Sequence, residues 1–356
     1  MQQKHDEETP LLDEKRCHSN SNNNHRLSRR LSIAAIIISL INICFQGYLS
    51  YARQRIVVSH ETIHFDPPLV NEELVVAQQC GRPTIPWQSV YTLPYDMYSG
   101  LIIEQKTTRQ LQIQEGHTKI RLNPDVADTT VYFDIKLVDK DDQQLITIQH
   151  DEPELGILRL ILDTKKEDLL DTICITLDIT IELPHLAAID RLDLSVSNSD
   201  IEFLDNGVVL SEALALETAN GNIAFKDLIT TAMTLATSKG NIHAHLKHGM
   251  GDLSASTSVG DILLDATELD SPSSVDLAVS KGKAEAHLPD SFESAFTLST
   301  VMGKAQVSTL DHPDRIHIER RGLTKLKGYY GTSRDSAAGS DVKLATVVGD
   351  AVVVYV

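Results

Sequence analysis

The sequence predicts an all-β protein. Its C-terminal part reads as a β-solenoid, β-helix-like, built of stacked repeats of about twenty residues and preceded by a strand-rich region and one N-terminal transmembrane helix. Three observations carry this expectation. Ser199, Gly221, Gly240, Gly260, Gly282, Gly303 and Gly349 recur 19 to 22 residues apart, with a last interval of 46 that is close to two periods. A fixed period of this length marks a stacked architecture. Five columns flank these turn residues, at seven, five and three before and at two and four after, and 30 of their 35 positions are apolar. The remaining five are Thr218, Thr237, Thr257, Thr300 and Thr346, all in one column that is otherwise Val. Finally, the columns lie two residues apart, which is the period of a strand with one inward face.

Each repeat is therefore strand, corner, strand. Gly221, Gly240, Gly260, Gly282, Gly303 and Gly349 are the structural turns, and four of them are followed by Asn or Asp (Asn222, Asn241, Asp261, Asp350). Glycine accepts positive φ without a Cβ clash, and Asn or Asp tolerates left-handed geometry better than other residues. One repeat cannot bury its own apolar face, so successive repeats stack like residue on like.

Taken in order, residues 1–30 are polar, with the run 19–24 made only of Ser and Asn, and predict a disordered cytosolic tail. Within it, Glu7, Leu11 and Leu12 have the spacing of an acidic dileucine sorting signal, although chance matches in charged tails are common. Residues 31–52 contain no charged side chain and predict a transmembrane helix. Five Lys or Arg precede the span from Lys15 on and two (Arg53, Arg55) follow it, which predicts a single-pass type II protein with its N-terminus cytosolic, at the plasma membrane or a vacuolar or endosomal membrane. Residues 53–90, with Pro67, Pro68, Pro83 and Pro86, read as a juxtamembrane linker. The single tryptophan, Trp87, either meets the membrane interface or caps the first sheet.

Residues 91–190 form a strand-rich N-terminal part of the β domain without a fixed period. Residues 191–356 hold the repeats, interrupted by an irregular excursion over 309–339. That excursion carries Arg315, Arg320, Arg321, Lys325 and Lys327, a basic patch in a chain of net charge −18. So acidic a chain repels phosphate backbones, which argues against nucleic-acid binding. Of the four cysteines, Cys80 and Cys174 follow the span and can pair on an oxidising side or stay as two buried thiols; no Cys/His zinc spacing occurs.

The segment Ile179 to Pro184, then Leu192 to Val196, then the rungs of turn Gly, Asn or Asp and Ile, resembles the putative-adhesin domain family, a domain of unknown function found in bacteria and fungi. The resemblance spans about residues 100–356. It implies a β-solenoid fold, and it implies no catalytic residue or cofactor. Here Gly282 and Gly303 are followed by Lys, and Ser199 replaces the glycine, which weakens any role for an Asn/Asp ladder at those rungs.

Chemistry-bearing candidates are few. His243 and His245 share the outward face of one strand, with His248 and Asp265 near, and are weak candidates for a metal. The corner Asn and Asp residues are equally weak candidates for calcium, because the nine-residue calcium-binding repeat is absent. No nucleophile elbow, phosphate loop or zinc-protease motif occurs, so no metal, cofactor or catalytic residue is assigned. The expectation is a membrane-anchored, non-enzymatic, adhesin-like solenoid that binds cell-wall polymer (glycan) or a surface protein. The alternatives are an endomembrane or vacuolar scaffold sorted by the dileucine tail, and a polysaccharide-active β-helix enzyme.

Overall fold

The computed structural model describes residues 80–106, 111–164 and 173–356. The tail with Glu7, Leu11 and Leu12, the span 31–52 and most of the 53–90 linker lie outside the described residues. Among the described residues no helix is long and apolar enough to cross a membrane.

The chain runs through β1 (Ile85–Leu93), β2 (Gly100–Gln105), β3 (Leu111–Leu122), β4 (Thr129–Leu137), β5 (Ile146–Glu154), β6 (Ile157–Thr164) and β7 (Ile173–Leu183). The repeat region adds β8 (Arg191–Asn198), β9 (Asp200–Phe203), β10 (Val209–Leu210), β11 (Ala213–Asn220), β12 (Ile223–Thr230) and β13 (Met233–Lys239). It continues with β14 (Ile242–Val259), β15 (Ile262–Ala266), β16 (Leu269–Lys281), β17 (Ala284–Leu288), β18 (Ser294–Met302) and β19 (Ala305–Thr309). Then come β20 (Ile316–Arg321), β21 (Lys325–Tyr330), the one-turn helix α1 (Arg334–Ala337), β22 (Asp341–Val348) and β23 (Ala351–Tyr355). The linker thus ends earlier than its prolines suggest: β1 begins at Ile85, and as an outer strand it tolerates Pro86.

Two sheet faces meet at the glycine corner. In the first, Leu192, Leu214, Met233, Leu253, Val275, Val342 and Phe296 are joined in parallel register from β8 to β18. In the second, Ile201, Ile223, Ile242, Ile262, Ala284, Ala351 and Ala305 are joined in the same way from β9 to β19. Of the 35 column positions, all are buried except Ala305 and Val307, and these sit on β19, which pairs only with β23. Burying one such Leu or Ile side chain stabilises the fold by about 1.5–3 kcal/mol.

The stacking order is not the sequence order. The last rung, β22 with β23, is inserted between β16/β17 and β18/β19. The expectation that successive repeats lie directly on one another therefore fails at this end. At the other end, β2 and β3 form a rung between β6/β7 and β8/β9. Residues 91–190 are strand-rich and, although the sequence shows no fixed period in them, they belong to the stack. They supply two more rungs, with Leu158, Leu101 and Leu192 in one file and Ile181, Ile120 and Phe203 in another.

Antiparallel strands cover both sheets at one end of the stack and the first sheet at the other. β5 covers β6, β4 covers β7, and β1 covers β4, with the part-buried Trp87 packed on the core. At the far end the excursion 309–339 is a hairpin plus α1. β21 runs antiparallel to β18, and β20 to β21. Asp290, Glu293, Arg315, Tyr330 and Tyr355 fix this cap. Arg315 bonds Asp290 at 3.0 Å and Glu293 at 2.7 Å, and Tyr330 stacks on Tyr355 with ring centroids 3.8 Å apart. Arg315, read from sequence as part of a basic patch, is instead internal to the cap.

The corners explain the repeat. Gly221, Gly240, Gly260, Gly282 and Gly349 have φ between +139° and +155°. A Cβ at Gly240 would lie 1.9 Å from the Gly221 carbonyl oxygen, and each other corner glycine faces its neighbour equally closely. Four of the five column threonines serve corner oxygens: Thr237 Oγ1 donates to Gly221 O at 3.0 Å, Thr257 Oγ1 to Gly240 O at 3.1 Å, and Thr300 and Thr346 to Gly349 O, while Thr218 bonds Ser197 O and Asn220 O. The next residue forms a second ladder. Asp200, Asn222, Asn241 and Asp261 each accept, through Oδ1, the backbone N–H one rung on, at 2.7–2.9 Å, and Asp350 accepts that of Lys304 at 2.7 Å. Ser199 turns without positive φ, and its hydroxyl meets buried Thr118 at 3.0 Å.

Two predictions follow from these contacts. The ladder breaks once, at Lys283, which offers no acceptor to the N–H of Asp350. Lys283→Asn is expected to raise stability by about 1 kcal/mol, whereas Lys304→Asn, on the last rung with nothing beyond it, should be neutral; urea unfolding midpoints of the two variants distinguish them. At the cap, hydrogen bonds from Ser336, the Thr332 N–H, Arg315 and the Thr332 hydroxyl outweigh burial and hold the Glu293 carboxyl down at about 2 from its ordinary 4.5. A carboxyl depressed in the folded state contributes stability above its unfolded pKa and loses it as pH falls through the folded one. The contribution of Glu293 should fade between about pH 4.5 and 2. Glu293→Gln should flatten the unfolding midpoint against pH across that window and cost on the order of 2–3 kcal/mol at pH 7.

Candidate functional site

The outward face of the first sheet is unusually uniform. Its two rows run Asp193, Ala215, Thr234, Ser254, Asp276, Lys343, Thr297 and Ser195, Glu217, Ala236, Ser256, Ala278, Ala345, Ser299. Ten of these fourteen are Ala, Ser or Thr, so apart from Glu217 and Lys343 no long side chain rises from the face, and strands about 4.8 Å apart leave a largely flat, repeating surface. Hydroxyls and methyls are interspersed along it.

At the β2 end this face dips into a shallow groove of about 200 Å³, lined by Glu104, Asp193, Ser195, Glu217, Thr234 and Ala236 among others. Burial pushes the Glu104 carboxyl up. Arg159 opposes that shift, and Asp151 and Asp193 add to it. Arg191 holds Asp193 at 2.6 Å. The groove therefore offers carboxylate and hydroxyl groups beside a flat apolar and hydroxyl floor, an arrangement suited to holding an extended polar chain rather than enclosing a small molecule.

The outward face of the second sheet is mixed in size and charge, with Glu202, Ala224, His243, Leu263, Glu285, Val352 and Gln306 in one row. His243 and His245 lie on it as the alternation predicts, but the structure does not assemble a metal centre around them. His245 Nδ1 lies 2.9 Å from Asp227, which holds φ +55°, and Asp265 sits beside His245 in register. His248 is drawn to Asp270 at 3.0 Å and Glu268 at 3.3 Å. Among the described residues no group of three or more His, Cys, Asp or Glu is placed to hold a metal ion. The corner Asn and Asp residues point their oxygens along the stack into the ladder, which leaves them committed to backbone N–H groups.

A second, open cleft of about 360 Å³ lies at the corner around Glu115, His117, Asn198, Asp200 and Asn220. Its amides serve one another: Asn220 Nδ2 donates to Asn198 Oδ1 and Asn198 Nδ2 to Ile113 O, each at 2.5 Å. Cys80 and Cys174 form a disulfide with Cα atoms 5.8 Å apart, tying the chain before β1 to β7. Arg320, Arg321, Lys325 and Lys327 are exposed on the terminal hairpin.

The flat face escaped the sequence reading, because attention fell on residue types that bind metals and not on small ones. Its signal was available: the positions between the inward columns are Ala, Ser and Thr in rung after rung.

No curated protein matches the chain in sequence. Among solved structures, a putative adhesin of Bacteroides fragilis is 13% identical and covers 76% of this chain and 97% of its own, with a TM-score of 0.35. A putative adhesin of Parabacteroides distasonis gives the same figures, 13%, 76%, 97% and 0.35. A putative cell adhesion protein of Clostridium sporogenes is 13% identical, covers 76% of this chain and 100% of its own, and has a TM-score of 0.31. Residues 206–309, from just before β10 to the end of β19, match the family model described as Toastrack DUF4097.

Proposed function

We propose that this protein is a membrane-anchored, non-enzymatic, adhesin-like solenoid whose flat first-sheet face binds an extended partner, a cell-wall polymer or a surface protein. The observation that carries this reading is the run of small residues across seven stacked rungs, from Asp193 and Ser195 to Thr297 and Ser299. Stacked-repeat folds use such extended surfaces for contact. The carboxylate-lined groove at its β2 end would fix the end of the partner. The apolar span 31–52 and the Lys and Arg before it support the anchor and the type II orientation.

The test is a glycan array and a pull-down with the full chain. Ala236→Arg with Ser256→Arg should cut capture by about tenfold, because two long cations break the flat contact, while His243→Arg on the other face leaves it unchanged. Equal capture by both variants would remove the flat face from the reading.

The tail motif Glu7, Leu11 and Leu12 favours a second reading, an endomembrane or vacuolar scaffold. Leu11→Ala with Leu12→Ala should then shift a tagged chain from endosomal or vacuolar membranes to the cell surface, as seen by imaging; an unchanged distribution argues against sorting by this tail.

A further inference from the structure

The far end of the stack carries a surface unlike the rest of the molecule. In the last two rungs the pair of residues before the corner glycine changes character. It is Ser238-Lys239, Ser258-Val259 and Ser280-Lys281 in earlier rungs, but Val301-Met302 and Val347-Val348 here, with both positions apolar. Val348 lies beside Met302 in register, and the Thr300 N–H donates to Thr324 O at 3.0 Å, which brings the tip of the β20–β21 hairpin alongside. Leu323 stands at that tip wholly exposed, with Met302 at 62% and Val301 at 46% exposure next to it. Five aliphatic side chains thus form one exposed patch.

Cations ring it. Lys281 is in register with Val348, Lys325 with Ser299 and Arg320 with Lys327; Lys304 and Arg321 complete the set. Among the described residues none of these six is in an ion pair. The nearby acids are engaged: Glu319 lies 3.4 Å from Arg334, and Asp350 accepts the Lys304 N–H. In a chain of net charge −18, this concentration of unpaired positive charge is local.

We propose that this end of the stack docks on an anionic phospholipid surface, with Leu323, Met302 and Val301 entering the headgroup layer and Lys304, Arg320, Arg321, Lys325 and Lys327 lying against the phosphates. Leu323 projects from a hairpin tip among cations, and a medium that yields can bury it without a preformed pocket. A bilayer interface does this and rewards flanking cations at the same time. Nucleic acid would be held by stacking aromatics along a groove, which this patch lacks. The inference does not depend on the N-terminal span.

The full chain, held by an N-terminal histidine tag on phosphatidylcholine vesicles that contain a nickel-chelating lipid, is offered a second population of vesicles. Capture of that population is followed by light scattering. Capture of phosphatidylserine-containing vesicles should exceed that of pure phosphatidylcholine vesicles by at least about tenfold and fall with added salt. R320Q/R321Q/K325Q/K327Q should bring it to the phosphatidylcholine level, and Leu323→Ser should weaken it several-fold, with unfolding midpoints unchanged because all five residues are exposed. The N-terminal segment is common to every variant, so it cannot produce the differences. Equal capture of the two vesicle types, or undiminished capture by the variants, would overturn the proposal. So would loss in the quadruple variant with Leu323→Ser unaffected, which would mean a general polyanion site.

Discussion

The fold depends on a contact that no side chain can share. At six corners the carbonyl oxygen of one rung occupies the space where the next rung's Cβ would stand, 1.8–2.1 Å from it. At these corners glycine is required by the stacking itself, and at all of them but Gly303 its φ is also positive. The rest follows from the close approach. The carbonyl needs a donor, and the column threonine supplies one from inside. The following N–H needs an acceptor, and the Asn or Asp of the neighbouring rung supplies one from outside. A net hydrogen bond contributes about 1 kcal/mol, so the two ladders together hold the corners in register, with one break at Lys283.

A stack of parallel rungs has two ends, and each end exposes a sheet edge ready to pair with anything extended. This chain treats the two ends by the same device, although at the far end the cover lies on β18 and leaves the β19 edge open. A rung is taken out of sequence order and slotted inside the last one, and antiparallel strands are laid over the outside. β4 and β5 do this at one end and the β20–β21 hairpin at the other. At the far end the cover is held by Arg315, Glu293 and the Tyr330–Tyr355 stack. Lys283 is the place where this insertion shows in the ladder, since the rung that follows it in space comes from 67 residues further along the chain. The cap also brings Leu323 beside Val301 and Met302, so closing the core creates the exposed patch.

The two faces of the corner differ because their outward positions do different things. The second-sheet face mixes charge and size and holds its histidines in pairs with carboxylates. The first-sheet face is mostly small across seven rungs, and a shallow groove lies where Glu104 and Asp193 meet.

By itself the sequence determined the period, the inward columns and the corner glycines, because each is a local demand repeated many times: alternation sets burial, and a stacked carbonyl sets the glycine. It also showed that Asn222, Asn241, Asp261 and Asp350 recur, but not that their oxygens would be used up by backbone N–H groups. Only the tertiary structure decided the order of the rungs. Val342, Leu344 and Ala351 fit the columns equally well between two rungs as at the end of the stack, so like packing on like carries no information about succession. The two rungs of residues 100–183 were hidden for a related reason. Long crossings separate Leu101, Leu158 and Leu192, and apart from Gly116 they lack the corner signature, so their side chains fall into line only once the chain has folded.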